Sequence, residues 1–299
     1  MNQAFPSTWQ ITSARAVHTD RPCLLAILNT TPDSFSDGGQ LDTIKSVVQR
    51  AQSAIDEGAD ILDIGGESTR PGAARIDSNE QIRRVVPAIK GIREQGITAP
   101  ITIDTTRYTV AQAALDAGAD AINDVSAGTE DSSMLQLACD RGCGIILMHR
   151  LCPPEQDQYS DQYREQPMYT DVVDEVHRYL DERCHAALAA GIGAQQIMID
   201  PGLGFGKSVE QNLALINRTG ELCSLGYPVL SGLSRKSFVG RISLGRDSKP
   251  SERIEGSIAC SVVHLMRGAR FFRVHDVAEH RKALDAAWAA GKSLIDPSH

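Results

Sequence analysis

Apolar runs of strand length recur along the chain, at 23–28 (CLLAIL), 60–65 (DILDIG), 100–104 (PITID), 120–124 (DAIND), 144–148 (GIILM), 196–200 (QIMID), 227–231 (YPVLS) and 269–273 (ARFFR). They are apolar nearly throughout instead of alternating, as expected of strands covered on both faces. Between and after them, helical spacing of apolar residues covers 41–57, 78–95, 107–117, 131–141, 171–190, 208–222, 252–267 and 277–291. Two of the joints echo each other: AIDEGADILDIG (54–65) and ALDAGADAINDV (114–125) share a helix end, a Gly-Ala-Asp turn and a strand, and MRGARFFRV (266–274) repeats the Gly-Ala part. Glycine there suits a left-handed helix C-cap before the chain enters a sheet.

Eight such alternations without a Pro/Ser-rich linker predict an α/β chain folded as a single-domain (β/α)8 TIM barrel over 23–299, with 1–22 as an N-terminal extension packed on it. A doubly wound open sheet competes, but it normally has fewer strands, and its nucleotide-binding version would carry a GxGxxG turn after strand one, which is missing here.

Composition narrows the function classes. The 41% hydrophobic and 23% charged residues are ordinary globular values, and no apolar run approaches a membrane span. The N-terminus has no charged stretch followed by an apolar one, so the expectation is a cytoplasmic protein. Seven cysteines, odd in number and without a CxxC pair, suit reduced thiols. A formal charge of −8 without a basic block argues against nucleic acid as partner. An anionic small molecule would need a local cluster of cations.

Barrel chemistry sits at the C-terminal strand ends, and here those ends are polar. Strand one runs into Asn29 and TTPDSFSDGG, strand two into GGESTRPG, and strands three to six reach Asp104, Asn123-Asp124, Met148-His149 and Asp200. Strand seven leads to Ser234-Arg235-Lys236-Ser237, and strand eight to Arg273-Val274-His275-Asp276. Alternation directs Arg273 and His275 to the barrel mouth, as a two-pronged anion site or as an ion pair of Arg273 with a neighbouring carboxylate. Asp104, Asn123 and Asp200 supply the donors and acceptors that would read a planar heterocycle; a metal is the rival use, without supporting ligand spacing nearby. DPGLGFGKS (200–208) resembles a P-loop only superficially, since the first glycine of that motif would fall on Pro201. A tight glycine turn presenting Phe205 as an aromatic wall is the better reading. Lys236 stands beside Arg235 as solvated charge or as a site cation. Cys139, Cys143, His149 and Cys152 read as packing and loop residues.

These motifs, in this order, resemble the dihydropteroate synthase family: NTTPDSFSDGG, GGESTRPGA, IDT, INDVSAG, LMH, DPGLGFGKSVEQN, SRKSF and RVHDV, over residues 23 to 277. The resemblance implies an enzyme that joins 4-aminobenzoate to (7,8-dihydropterin-6-yl)methyl diphosphate, releasing diphosphate by an SN1-like path and giving dihydropteroate for folate synthesis. Asp104, Asn123, Asp200 and Lys236 would hold the pterin, with Met148 and Phe205 as apolar contacts. Asn29, Arg273 and His275 would hold the diphosphate, Asn29 also being a ligand of Mg2+. Thr69, Arg70, Pro71, Phe35, Asp37 and Ser237 would complete the aminobenzoate pocket, the first loop acting as a lid. A homodimer is implied as well, and Phe271 and Phe272 do not decide its interface.

The chain departs from the family pattern in three places. Thr30 stands for a usual valine, Asp-Thr-Thr-Arg107 for a frequent Asp-Thr-Ser-Lys, and the 150–169 segment is longer than its usual counterpart. A corrinoid-dependent methyltransferase shares the barrel and the Asp/Asn trio but needs neither the TPDSFSDGG loop nor the RVHD pair. A non-catalytic pterin binder has no use for a leaving-group site, and a phosphate-binding isomerase would need a general base.

Overall fold

A computed structural model describes residues 8–30 and 40–295. The chain opens with an antiparallel hairpin, β1 (Thr8–Thr12) and β2 (Arg15–His18). Eight parallel strands follow: β3 (Cys23–Asn29), β4 (Ile61–Gly65), β5 (Ile101–Asp104), β6 (Ala121–Asp124), β7 (Gly144–Met148), β8 (Ile197–Asp200), β9 (Leu230–Ser231) and β10 (Phe271–Val274). They pair in the order β8-β7-β6-β5-β4-β3-β10-β9. A parallel bridge from Ile199 to Val229 joins the two ends and closes the ring. The (β/α)8 barrel expected from the apolar runs is therefore the observed architecture.

Ten helices are seen among the described residues: α1 (Gln40–Asp56), α2 (Ser78–Glu94), α3 (Tyr108–Asp116), α4 (Met134–Arg141), α5 (Val172–Ala189), α6 (Val209–Asn217), α7 (Thr219–Cys223), α8 (Ser237–Leu244), α9 (Ile254–Met266) and α10 (Val277–Ile295). The periodic stretch 208–222 divides into α6 and α7 because the Thr219 hydroxyl donates to the carbonyls of Leu215 and Ile216 at 2.9 and 2.8 Å, taking over acceptors at the end of the α6 turn. Helix α8 was not legible in the periodicity. It is eight residues long, contains Gly240, and follows directly on the SRKS motif. No described helix is long and apolar enough to cross a membrane.

Alternation along the strands sorts the core into two layers. Outward-facing Leu24, Ala26, Leu62, Ile64, Ile103, Ile122, Leu147, Ile199, Phe272 and Val274 pack with the helices. Inward-facing Cys23, Leu25, Ile61, Ala121, Ile146, Met198, Leu230 and Phe271 fill the lower barrel, where Trp9 and Ile11 of the hairpin close it. Trp9 is fully buried, meets Phe271 edge to face at 6.2 Å, and donates its indole N–H to the Gln196 carbonyl at 2.9 Å. With the bottom filled by apolar side chains, the inward positions nearer the C-terminal ends are left for polar ones. Phe271 inside the barrel and Phe272 between barrel and helices are both fully buried and take no part in a surface.

Candidate functional site

Moving up the barrel interior, the same inward register that places Ile61 and Leu25 in the plug reaches Asp63 on β4, Thr102 and Asp104 on β5, Asn123 on β6, Met148 on β7, Asp200 on β8 and Arg273 on β10. Arg273 donates from Nε to Asp63 Oδ2 at 2.6 Å and from Nη2 to Asp104 Oδ2 at 2.7 Å. The ion-pair alternative for Arg273 is thus realised, and it sits within the mouth. Burial works against the Arg273 charge, but the two carboxylates more than offset it and its pKa is raised.

Asp63 is completely buried and also accepts from the Thr102 hydroxyl and, at 3.3 Å, from Asn123 Nδ2. The Asn123 amide is thereby oriented with its nitrogen toward Asp63, leaving Oδ1 as the acceptor for a ligand. Asp104 keeps Oδ1 buried without a hydrogen-bond partner, a group that calls for a donor from outside the protein. Burial raises the Asp104 pKa to about 7, with Arg273 opposing and Asp63 reinforcing the shift. Asp200 accepts from the Gly202 amide through Oδ1 at 2.7 Å, and burial raises its pKa too. Asn29, at the end of β3, lies close by: a Cβ placed on Gly65 would stand 3.5 Å from Asn29 Oδ1 and 3.6 Å from Asp104 Cβ.

The opposite wall comes from the glycine turn after β8. Gly202, Gly204 and Gly206 all have positive φ, and a Cβ at Gly202 would fall 1.8 Å from the His149 carbonyl oxygen, so only glycine fits. The turn presents Phe205, which forms a small apolar cluster with Val125 and Met148. Lys236 places its ammonium 4.0 Å from the centre of the Phe205 ring and donates to the Leu203 carbonyl. Burial lowers the Lys236 pKa to about 7, against the opposing pull of Asp200.

Lys236 is aimed by its neighbour. Arg235 has φ of +60°, a costly conformation for a non-glycine residue. It is held there by Asp276 at 2.9 Å, by the Ser257 hydroxyl on its N–H at 2.9 Å, and by Arg253 on its carbonyl at 2.9 Å. Ser237 is buried and begins α8.

His275 is bonded through Nδ1 to the Ser234 hydroxyl at 3.1 Å. Burial, reinforced by Arg273 and Arg235, pushes its pKa down to about 3, so the imidazole is neutral and offers hydrogen bonding rather than charge to an anion. Thr69 shares a crevice with Asp104, Thr106, Val125 and Pro154. Arg70 is exposed on the rim, close enough to add to the positive potential at His275, and Pro71 is half-buried in the same loop. That loop is anchored by Gly72 N–H to the Pro154 carbonyl at 2.8 Å and by Arg75 to Glu130 at 2.8 Å. Phe35 and Asp37 lie outside the described residues.

Two buried charges that shape the site, Asp63 and Lys207, do not stand at strand ends. Asp63 sits in the middle of the apolar run ILDIG, and a charge in a strand buried on both faces is itself the signal that a partner must be present. Lys207 is wholly buried, with its ammonium 2.9 Å from His149 Nδ1 and donating to the carbonyls of Gly202 at 3.0 Å and Phe205 at 2.9 Å. Both it and His149 serve the turn rather than solvent.

A family model described as pterin binding enzyme matches residues 25–275. The chain belongs to the pterin-binding enzymes, among the dihydropteroate synthases. Its relatives include the dihydropteroate synthase of Streptococcus pyogenes serotype M3, 44% identical over 254 residues that span 85% of this chain and 90% of the relative. The Synechocystis sp. dihydropteroate synthase is 41% identical over 272 residues, 90% of this chain and 91% of the relative. Among solved structures, Xanthomonas albilineans dihydropteroate synthase with 4-aminobenzoic acid superposes with a TM-score of 0.85 at 42% identity, over 97% of this chain and 99% of that one. The same enzyme in complex with 7,8-dihydropteroate superposes with a TM-score of 0.81 at 41% identity, over 94% and 97%. In (β/α)8 barrels the chemistry sits at the C-terminal strand ends, the end at which this polar mouth opens.

Proposed function

We propose that this chain is a folate-pathway transferase that condenses (7,8-dihydropterin-6-yl)methyl diphosphate with 4-aminobenzoate to 7,8-dihydropteroate and diphosphate. The observation that carries the reading is the polarity of the mouth: acceptor oxygens of Asp104, Asn123 and Asp200 stand together with the cations Lys236 and Arg273. A pterin presents an amino group and ring N–H groups to such acceptors, and a carbonyl and ring nitrogen to such donors. The Xanthomonas albilineans structures with 4-aminobenzoic acid and with 7,8-dihydropteroate support the aminobenzoate substrate and the product.

In the reaction, the bond between the pterin methylene and the diphosphate oxygen breaks, with its electron pair leaving on diphosphate. The dihydropterin ring spreads the positive charge, the arylamine nitrogen attacks the methylene, and one amine proton is lost. An arylamine needs no strong base, so the residues contribute positioning and leaving-group stabilisation. Arg273 and neutral His275 would donate to the departing diphosphate, and Asp63 and Asp104 would keep Arg273 in place until the anion arrives. Met148 and Phe205 would enclose the ring, and Thr69, Arg70, Pro71 and Ser237 would border the aminobenzoate.

Asn29 offers one hard oxygen beside Asp104, a set that suits Mg2+, which commonly takes few protein ligands and fills its shell with substrate phosphate and water. When bound there, the ion would neutralise charge on the diphosphate. A cytoplasmic location and a homodimer belong to the same proposal; Val263 and Met266, exposed on α9, supply apolar surface for a second copy. The test is diphosphate release with Mg2+, with and without 4-aminobenzoate. Release that requires the aminobenzoate, with dihydropteroate detected by mass spectrometry, is the expected result; tight pterin binding without release would redirect the assignment to a binder or a methyltransferase.

A further inference from the structure

The 150–169 segment folds against the turn that carries Phe205. Asp157, buried, accepts the Gly206 N–H through Oδ2 at 2.9 Å, while its Oδ1 takes the Gln158 N–H at 2.8 Å and the Tyr163 hydroxyl. The Tyr169 hydroxyl donates to the Gly206 carbonyl at 3.0 Å. Both polar groups of the Gly206 backbone are thus taken by this one segment. Leu151 covers the same residue, a Cβ on Gly206 being placed 2.3 Å from Leu151 Cβ. A third tie runs through Asn212, which accepts the Gly204 N–H at 2.6 Å and donates to the Ser160 hydroxyl at 3.1 Å. On the inner side, Lys207 holds the Gly202 and Phe205 carbonyls.

A turn with three glycines at positive φ has little intrinsic preference for one shape, so such contacts must select it. We propose that the 150–169 segment is a brace for the pterin wall and that Asp157 is its positioning residue, setting Phe205, and through it Lys236, for the pterin. This rests on the pterin-site reading given above.

The test compares wild type with Asp157→Ala, Asp157→Asn and Tyr169→Phe. For Asp157→Ala the KM for the pterin diphosphate is expected to rise about tenfold, the scale of one lost charge-assisted hydrogen bond, with the aminobenzoate KM little changed. Asp157→Asn, which keeps an acceptor for the Gly206 N–H, should recover most of the loss, and Tyr169→Phe should give a smaller rise of the same kind. An unchanged pterin KM in Asp157→Ala, or equal rises in both KM values with a fall in melting temperature, would overturn the brace. Absence of turnover in the wild type would strike the enzymatic reading instead, and calorimetric affinities for the pterin diphosphate in wild type and Asp157→Ala would then still decide the brace.

Discussion

Arg273 on β10 reaches across β3 to Asp63 on β4, the guanidinium Nε standing 2.6 Å from the fully buried carboxylate. The strand between them contributes no charge of its own, and the pair spans the barrel interior within the mouth, above the apolar plug. Its energetics depend on both members being present. Asp63→Ala leaves a buried cation with one fewer counter-charge and Asn123 without its anchor, and a stability loss of about 3–5 kcal/mol is expected. Urea denaturation measures this, and turnover should fall in parallel because Arg273 and Asn123 lose their orientation.

Removing the cation has a different signature. Arg273→Ala is expected to reduce turnover on the order of 10^2 to 10^3, the scale for deleting a donor aimed at developing charge. Unchanged turnover under saturating substrates would remove Arg273 from the diphosphate site.

The buried ammonium of Lys207 makes stability depend on pH. Burial lowers its pKa to about 7, below the ordinary 10.5. Between those values the unfolded chain binds the proton and the folded one does not, so this group's contribution to stability rises with pH across that window and is lost as pH falls through the folded pKa. Its slope is about 1.4 kcal/mol per pH unit for one group. Lys207→Met should flatten the wild-type rise in unfolding free energy between pH 7 and 10; an identical slope in the variant would show that the lysine titrates normally.

Gly202 tests the turn itself. Because a Cβ there meets the His149 carbonyl at 1.8 Å, and φ is +65°, Gly202→Ala must displace the backbone that carries Phe205. A loss of more than about 1 kcal/mol in stability, with weakened pterin binding, is expected from calorimetry and thermal melts.

The plug provides a contrast, being far from the mouth. Trp9→Ala should cost about 3–5 kcal/mol in stability through the cavity it opens, while turnover below the melting transition stays near that of wild type. A large drop in kcat would mean that the lower layer tunes the site.

What was legible in the chain follows from how each feature is encoded. The barrel strands show because burial on both faces leaves no polar position, as in GIILM, and the mouth residues show because they terminate those runs. Asp63 escaped because one polar letter inside ILDIG resembles a tolerated exception until its partners from β5, β6 and β10 are seen around it. Helix α8 escaped because eight residues with an internal glycine give too short a period. The pairing of Arg273 with two carboxylates, and the neutrality of His275, depend on burial and neighbours distant in the chain, which motif spacing does not carry.

The ring of strands is fastened unequally. Most neighbours share a continuous ladder, but β8 and β9 meet at the single Ile199–Val229 bridge and the Ile199 N–H bond to the Pro228 carbonyl at 3.0 Å. A hoop with one weak joint breathes at that joint, and amide protons along it should exchange with solvent before those of β4 or β5. Asp200 and Gly232 flank this seam, a Cβ on Gly232 lying 3.3 Å from Asp200 Oδ2. A ligand gripped by Asp200 on one edge and Lys236 beyond the other would act as a rivet across the seam, so occupancy of the mouth should slow exchange in β8 and β9 more than anywhere else in the barrel.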